Sequence, residues 1–405
     1  MTQEVAASSV GIAGCEQMDA AYSAMLAASD GNIYTALCTH NGRDDAVLVR
    51  YEPASRTTHI LADMGAATGE KGRATIPQGK VHTRMGEGAD GRIYFATHPT
   101  YPAGPVPAGS PAGHFMAYDP RSGACRSVAE APGPEAVITA ALDPDRLVMV
   151  GLSNPSGKLL ICDLKSGAVR DLGPQTNGAS PCRTIGIDRE GNAWFTREPG
   201  EIVRYGAETS AIDKMKARIP ALSFPNEAGM GVWRTVVFDP TGGIFYGIHA
   251  RTSLLFAYDP RIDQAMAIGS VAAEADRGEP LSTFASLAFA RAPDGRLYYV
   301  AARGIFDFFN SKPLQGAAHL ISFEPRTRAI TDHGPIVAEG RRLFGSQNAV
   351  VSQDGRRLYI LGAFEAGPQD RIVPATMLPV VQGDGSRKLP YQLRIGIIEL
   401  GRLAA

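Results

Sequence analysis

The 405-residue chain is poor in cysteine, in charge of either sign in excess, in long apolar runs and in helical periodicity. Its five cysteines (Cys15, Cys38, Cys125, Cys162 and Cys182) are odd in number and form no Cys-x-x-Cys pair. That argues against a disulfide frame and for reduced thiols. Lys and Arg total 40 against 41 Asp and Glu, a net charge of −1, so nothing draws the chain to a nucleic acid or an anionic membrane. No stretch approaches the about 20 apolar residues that span a bilayer. Met1-Thr2-Gln3-Glu4-Val5 lacks the basic region and apolar run of a secretory signal. The expectation is therefore a cytoplasmic protein, a monomer or a small homo-oligomer. Apolar residues almost never recur with a period of 3.6, which argues against a helical bundle and against parallel sheets with helical crossovers. Also missing are a Gly-x-Ser-x-Gly elbow, a phosphate loop, a Gly-x-Gly-x-x-Gly turn before a helix and a His-Glu-x-x-His pair.

What the chain has is a phrase that returns seven times: an apolar strand, an Asp-x-Gly type of turn, an aromatic-rich strand, and a strand ending near Tyr-Asp-Pro. The turns are Asp30-Gly31, Asp90-Gly91, Glu190-Gly191, Thr241-Gly242, Asp294-Gly295 and Asp354-Gly355, with a degenerate copy at Asp143-Pro144-Asp145-Arg146. Taken at positions 30, 90, 145, 190, 241, 294 and 354, they are 45 to 60 residues apart. Repeats of this length with four short strands mark a β-propeller. The fold expected is all-β: a single domain over 1–405, seven blades of four antiparallel strands. The last blade is short of a strand. Residues 393–400 supply its third, and residues 10–13 near the N-terminus supply its fourth, so that the two ends of the chain share one sheet and leave no open edge.

In a propeller the first strand of each blade lines the axis, and its start lies on the same face as the end of the second strand. Counting back from each turn glycine gives His82, Arg183, Arg234 and Gln347, in the parallel phrases Val81-His82-Thr83, Cys182-Arg183-Thr184, Trp233-Arg234-Thr235 and Ser346-Gln347-Asn348. Blades 1, 3 and 6 carry Ser23, Ile138 and Ser286 or Leu287 there. Counting forward gives His98, Arg197, His249 and Arg303, with His40 slightly further on in blade 1. Long connections at 99–113, 304–318 and 365–391 belong to the same face, and Phe306, Phe308 and Phe309 offer a wall for a sugar-sized ligand. Buried charge is costly unless paired or used. A cluster of His and Arg on one face predicts a small anionic ligand, unless acids such as Glu87, Glu198 and Asp188 close the channel by ion pairs.

Two His with several Arg suit proton abstraction beside a carboxylate. Arg neutralises the carboxylate and stabilises the enolate-like intermediate, one imidazole takes the proton, and a second acid protonates the leaving oxygen. This is the minimum for β-elimination from a uronic acid glycoside. The run Gln78-Gly79-Lys80-Val81-His82-Thr83, followed by Asp90-Gly91-Arg92-Ile93-Tyr94-Phe95-Ala96-Thr97-His98, resembles the seven-bladed polysaccharide lyases of the ulvan lyase and rhamnose–glucuronate lyase type. The resemblance implies that His82 and His98 are a catalytic pair acting on a glucuronate or iduronate saccharide, with Arg183 the counterpart of a further family arginine. A family Tyr and Arg from the next blade are missing, since Ile138 and Asn154 stand there. Arg234, Arg197, His249, Gln347, Asn348, His40 and Arg303 remain as substrate-binding candidates. The segment Asp188-Arg189-Glu190-Gly191-Asn192-Ala193-Trp194-Phe195-Thr196 is similar to the repeat of virginiamycin B lyase-type propellers, which implies a magnesium-assisted elimination. The elimination reading requires no cofactor. A divalent metal held by His40, His82, His98 and His249 is the alternative, opposed by the adjacent arginines. A non-catalytic sugar- or anion-binding propeller is the other.

Overall fold

The turns are built by their own side chains. Asp30 Oδ1 accepts the N–H of Asn32 at 2.9 Å and Oδ2 accepts the Tyr34 hydroxyl at 2.7 Å. Asp90 does the same with Arg92 N–H at 3.1 Å and Tyr94 at 2.7 Å. Asp188 takes the Asn192 N–H at 2.8 Å and the Trp194 indole N–H at 2.7 Å. Gly31, Gly91 and Gly191 occupy the left-handed region at φ of 81°, 78° and 80°, which a glycine adopts without a Cβ penalty. The repeated Asp, Gly and aromatic are thus one device: a turn whose carboxylate also anchors the next strand.

A computed structural model describes residues 4–72, 76–101, 106–178, 182–220, 231–277, 285–302, 316–367 and 391–403. Five four-stranded sheets follow the chain in order, spanning 25–63, 86–130, 136–174, 186–218 and 233–270. Each is an antiparallel meander, and these are blades 1 to 5. Blade 6 runs from Phe289–Arg291 to Ala329–Ala338. Blade 7 has an inner strand in two pieces, Arg341–Ser346 and Val350–Val351, then Arg357–Glu365 and Tyr391–Glu399. Its outer strand is the N-terminal Val5–Gly11, paired antiparallel from Ser8↔Ile397 to Gly11↔Arg394. The expected closure is present, with the closing strand a few residues earlier than 10–13. Val5–Ala7 also pair parallel with Ile336–Ala338 of blade 6, which merges blades 6 and 7 into one nine-stranded sheet. The chain is a seven-bladed propeller.

Stability lies between blades rather than at one centre. Trp194, Phe195, Trp233 and Phe245 fill the space from blade 3 to blade 5. Tyr34, Phe95, Met116 and Tyr118 join blades 1 and 2. Tyr51, Tyr359, Ile395 and Ile397 join blade 1 to blade 7. Each such side chain, fully buried, contributes roughly 1.5–3 kcal/mol. Cys38 and Cys182 sit inside two of these clusters, and burial pushes their thiols up, Cys38 to about 12.

Candidate active site at the propeller axis

The inner strands share an irregularity. The ladder of blade 5 shifts between Trp233 and Thr235, leaving Arg234 as the extra residue, and blade 3 shifts likewise around Ile138. In blades 1 and 2 the bridges Ala20↔Cys38 and Lys80↔His98 are separated from the strands Met25–Ala27 and Gly86–Glu87 by unpaired residues that include Tyr22 and His82. In blade 7 the break falls on Gln347, Asn348 and Ala349. A bulge of this kind re-aims the side chain it carries.

Each displaced backbone is then held by the blade before it. Asn348 Nδ2 donates to Tyr22 O at 2.7 Å and the Ser23 hydroxyl donates to His82 O. The Thr139 hydroxyl donates to Arg183 O at 2.8 Å, and Arg183 N–H donates to Arg234 O at 3.3 Å. Further round, Thr235 Oγ1 donates to Leu287 O at 3.4 Å and Ser286 Oγ donates to Ser346 O at 2.6 Å. The junction of blades 2 and 3 is joined further out, where Val137 N–H donates to Thr97 O at 3.2 Å. Arg84 spans the channel instead: its guanidinium, on blade 2, donates to Val236 O at 2.7 Å and Thr235 Oγ1 at 2.9 Å on blade 5. It ties the strand bearing His82 to the strand bearing Arg234.

On this frame four aromatic rings meet. The Tyr22 ring lies 3.7 Å from that of His82, centroid to centroid, at 33°. His82 stacks on His98 at 4.8 Å and 22°, and His98 meets Tyr101 at 5.7 Å. His98 Nδ1 donates to Pro99 O at 2.6 Å, which leaves its Nε2 as the lone-pair nitrogen. His82 Nε2 is buried and has no hydrogen-bond partner among the described residues. The Tyr22 hydroxyl is 2.7 Å from His40 Nε2, and His40 Nδ1 is 3.1 Å from Asp19 Oδ1. Asp19 therefore favours the His40 tautomer that accepts the phenol's proton. Tyr391 donates its hydroxyl to Asp19 O at 3.0 Å.

The electrostatics run one way. Burial, then the charges of Lys80 and Arg183, hold His98 down at about 3. Burial, then His98, Lys80 and Arg183, holds His82 well below the usual imidazole range. Both rings are neutral at pH 7. Burial lowers Arg183 to about 10, and burial with the charge of Arg183 lowers Arg234 to about 9. Burial also lowers Lys80, whose ammonium is in no ion pair among the described residues. Tyr22 is pushed well up, first by burial, and stays protonated. The acids Glu87 and Asp188 are committed elsewhere, to Ser29 and to the turn before Trp194.

Of the residues expected from sequence, His82, His98, His40, Arg183 and Arg234 gather here, joined by Tyr22, Asp19, Lys80 and Tyr391. Gln347 accepts Leu287 N–H at 3.2 Å, while its buried Nε2 has no partner among the described residues. Asn348 is spent on closure, its Oδ1 accepting Leu361 N–H at 2.7 Å. Arg197 turns away: it donates to Glu201 at 2.7 Å, where Lys214 and Arg218 also converge. His249 is held within its own turn by Thr252 at 3.0 Å, and burial lowers it to about 4. Arg303 and Phe306, Phe308 and Phe309 lie outside the described residues. Among the described residues no three His, Cys, Asp or Glu side chains are grouped to hold a metal ion, and His82 and His98 meet through their ring faces.

Comparison with known proteins adds the fold. No family model matches the chain, and no curated protein matches it. Among solved structures it is similar to U3-55K at TM-score 0.57 and 9% identity, over 95% of this chain and 96% of that one. It is similar to the RRP9 WD40 repeats at 0.57 and 8% identity, over 96% and 99%. A chain of the mitotic checkpoint complex gives 0.55 and 12% identity, over 89% of each. The likeness is one of architecture. At these identities it carries no chemistry from one chain to another.

Tyr22 had a signal in the sequence that counting from the glycine obscured. It precedes Ser23 as His82 precedes Thr83 and Arg234 precedes Thr235. Aligning on that hydroxyl residue, which bonds the next blade at Ser23 and Thr235 and its own blade at Thr83, places Tyr22 on the axis. Lys80 stood inside the phrase that carries His82. Asp19 and Tyr391 had no local pattern to mark them.

Proposed function

We propose that this site performs β-elimination on a small saccharide containing a uronate. The observation that carries the reading is the stacked pair of neutral imidazoles, His82 and His98, in the field of Lys80 and Arg183. A carboxylate placed there is drawn by the cations, with Arg183 and Arg234 taking up the charge that develops on it. An imidazole of the pair removes the proton on the carbon beside the carboxylate. The electron pair forms the new carbon–carbon double bond, the bond to the glycosidic oxygen breaks, and that oxygen takes a proton from an acid. Tyr22, protonated at neutral pH, is the acid best placed for this once its O–H turns from His40 Nε2 to the leaving oxygen. It supplies the tyrosine that the lyase resemblance lacked in the next blade, from the preceding blade instead.

An imidazole held near 3 is a weak base in the empty site. Burial is the largest cause of that depression; the bound carboxylate offsets the lesser ones, Lys80 and Arg183, and raises the basicity in part as the substrate arrives. The same depression favours the second reading, a propeller that binds an anionic saccharide without transforming it. Incubation with glucuronate- and iduronate-containing oligosaccharides separates the two. Elimination yields a growing ultraviolet band from the unsaturated uronate and a loss of at least about 100-fold in kcat for His82→Ala, the lower end of general-base contributions. Tight binding with no such band leaves the second reading, and full activity in His82→Ala removes the imidazole pair from the mechanism.

A further inference from the structure

Six of the seven blades carry an aromatic ring at one position of the second strand. Tyr34 pairs there with Arg50, Tyr94 with Ala117, Trp194 with Arg204, Tyr246 with Ala257, Tyr298 with Ser322 and Tyr359 with Ile397. In blade 3 the same position, paired with Ile161, holds Val150. All seven partners stand at one place, two residues before the end of the third strand or, in blade 4, one. Four of the rings meet a ring of the next blade. Tyr34 lies 5.8 Å from Tyr118, Trp194 5.6 Å from Tyr258, Tyr246 5.7 Å from Phe323 and Tyr359 6.0 Å from Tyr51, centroid to centroid. Such spacings are those of favourable aromatic pairs.

Blade 4 presents Tyr205 at the place of Tyr118 and Tyr258, but Val150 brings no ring to meet it. A cavity of about 350 Å³ opens between them, lined by Val150 and Ile161 from blade 3 and by Tyr205 from blade 4. That volume falls within the ~300–1,000 Å³ of small-molecule sites. The turn through Asp143 and Arg146 forms part of the lining. This turn joins the first strand of blade 3 to the second, so the cavity opens on the face of the disc opposite the His82–His98 stack.

The walls suit the missing group. Tyr205 is buried, and its hydroxyl is held by the Arg170 guanidinium, which fixes the plane of its ring. In other blades the ring's own donor reaches a turn carboxylate: the Tyr34 hydroxyl to Asp30, the Tyr94 hydroxyl to Asp90 and the Trp194 indole N–H to Asp188, each at 2.7 Å. The cavity offers the buried carboxylate of Asp143 for the same purpose. Its Oδ2 accepts Arg146 Nη1–H at 3.0 Å, which leaves that oxygen room for a second donor. Among the described residues the lining carries two carboxylates, Asp143 and Asp163, and two guanidiniums, Arg146 and Arg170, so its charges offset.

We infer that the cavity between blades 3 and 4 binds a phenol, whose ring takes the place that six blades fill from their own chain and whose hydroxyl donates to Asp143. The phenol is either a free small molecule or the side chain of a tyrosine in a peptide. The site is independent of the elimination chemistry at the axis.

Isothermal titration calorimetry of the full chain with p-cresol, the side chain of tyrosine in isolation, tests this. One saturable site is expected, weakened at least about tenfold for 4-methylanisole, which keeps the ring and loses the O–H. Val150→Tyr supplies the ring from the chain itself, and Ala168→Trp covers the mouth from an exposed position of the lining. Each is expected to weaken p-cresol at least about tenfold, and Val150→Tyr to keep or raise the urea midpoint. N-acetyl-tyrosinamide separates the sources: tighter binding than p-cresol supports a tyrosine in a peptide, and weaker binding supports a free phenol. No binding of either compound at millimolar concentration overturns the site, as does binding that Ala168→Trp leaves unchanged. Equal binding of p-cresol and 4-methylanisole overturns the bond to Asp143 and with it the phenol. If Val150→Tyr does not fold, the slot does not accept the ring it was assigned, and the inference fails.

Discussion

His98 shows how one residue couples chemistry to stability. Its ring is 6% exposed, sealed by His82, Tyr101 and the carbonyl of Pro99. In the unfolded chain it titrates near 6.5, and in the fold near 3. Between those values the unfolded chain binds the extra proton, so stability rises with pH. The fold is unaffected above pH 6.5 and weakens as pH falls towards 3. By pH 4.5 the expected loss from this residue is on the order of 2–3 kcal/mol. His98→Gln should therefore lose less stability than the wild type between pH 7 and pH 4.5, by urea denaturation at each pH. Parallel pH profiles for the two proteins would mean that His98 is protonated without cost in the fold. Residues of this kind were legible in the sequence because the propeller repeats: His82, Arg183, Arg234 and Gln347 recur eight or nine residues before a turn glycine. Arg197 and His249 followed from the same counting and ended elsewhere. The side chains of a strand alternate between faces, and one residue of difference in length changes the face. Arg197 meets Glu201 and His249 meets Thr252 in consequence.

At the scale of the element, the broken inner strand is the feature that makes a site. A regular ladder would continue the small and apolar lining of the axis. The interruption at Tyr22, His82, Arg183 and Arg234 lifts polar side chains out of register, and the preceding blade fastens each carbonyl. Asn348 is the clearest of the fasteners. It is 2% exposed, donates to Tyr22 O and accepts from Leu361 N–H. Asn348→Ala leaves both groups buried without partners, at an expected cost of roughly 2–4 kcal/mol. Equilibrium denaturation measures it, and a change under about 0.5 kcal/mol would show that the blade 7 to blade 1 junction does not depend on this amide. Turns and strands were readable from Asp, Gly and aromatic residues because those residues make the turn by themselves. The fasteners were not, since each joins residues in different blades and a single blade's sequence says nothing of its neighbour.

At the scale of the whole molecule, the ring is closed by Val5–Gly11, which touches blades 6 and 7 together. Its side chains join in as well: Ser9 donates its hydroxyl to Glu339 at 2.6 Å and accepts Arg394 Nε–H at 2.9 Å. Removing residues 4–11 exposes Tyr391–Glu399 as an unprotected edge nine residues long. The shortened protein should unfold at lower urea than the full chain and associate as its concentration rises, by denaturation and by size-exclusion chromatography. An unchanged midpoint and a monomeric profile would show that blade 7 is complete without that strand.

The same closure has a bearing on how the chain is made. Gly11 emerges from the ribosome 380 residues before Tyr391, the first residue of the strand it will sit beside. At about 5–20 residues per second this is a wait of roughly 20–75 s. For most of that time neither neighbour of this strand has been made, since Ile336–Ala338 of blade 6 also come late. A strand made early is among the last to be docked, and a cell that makes this protein must keep a sticky ribbon harmless until its mate appears.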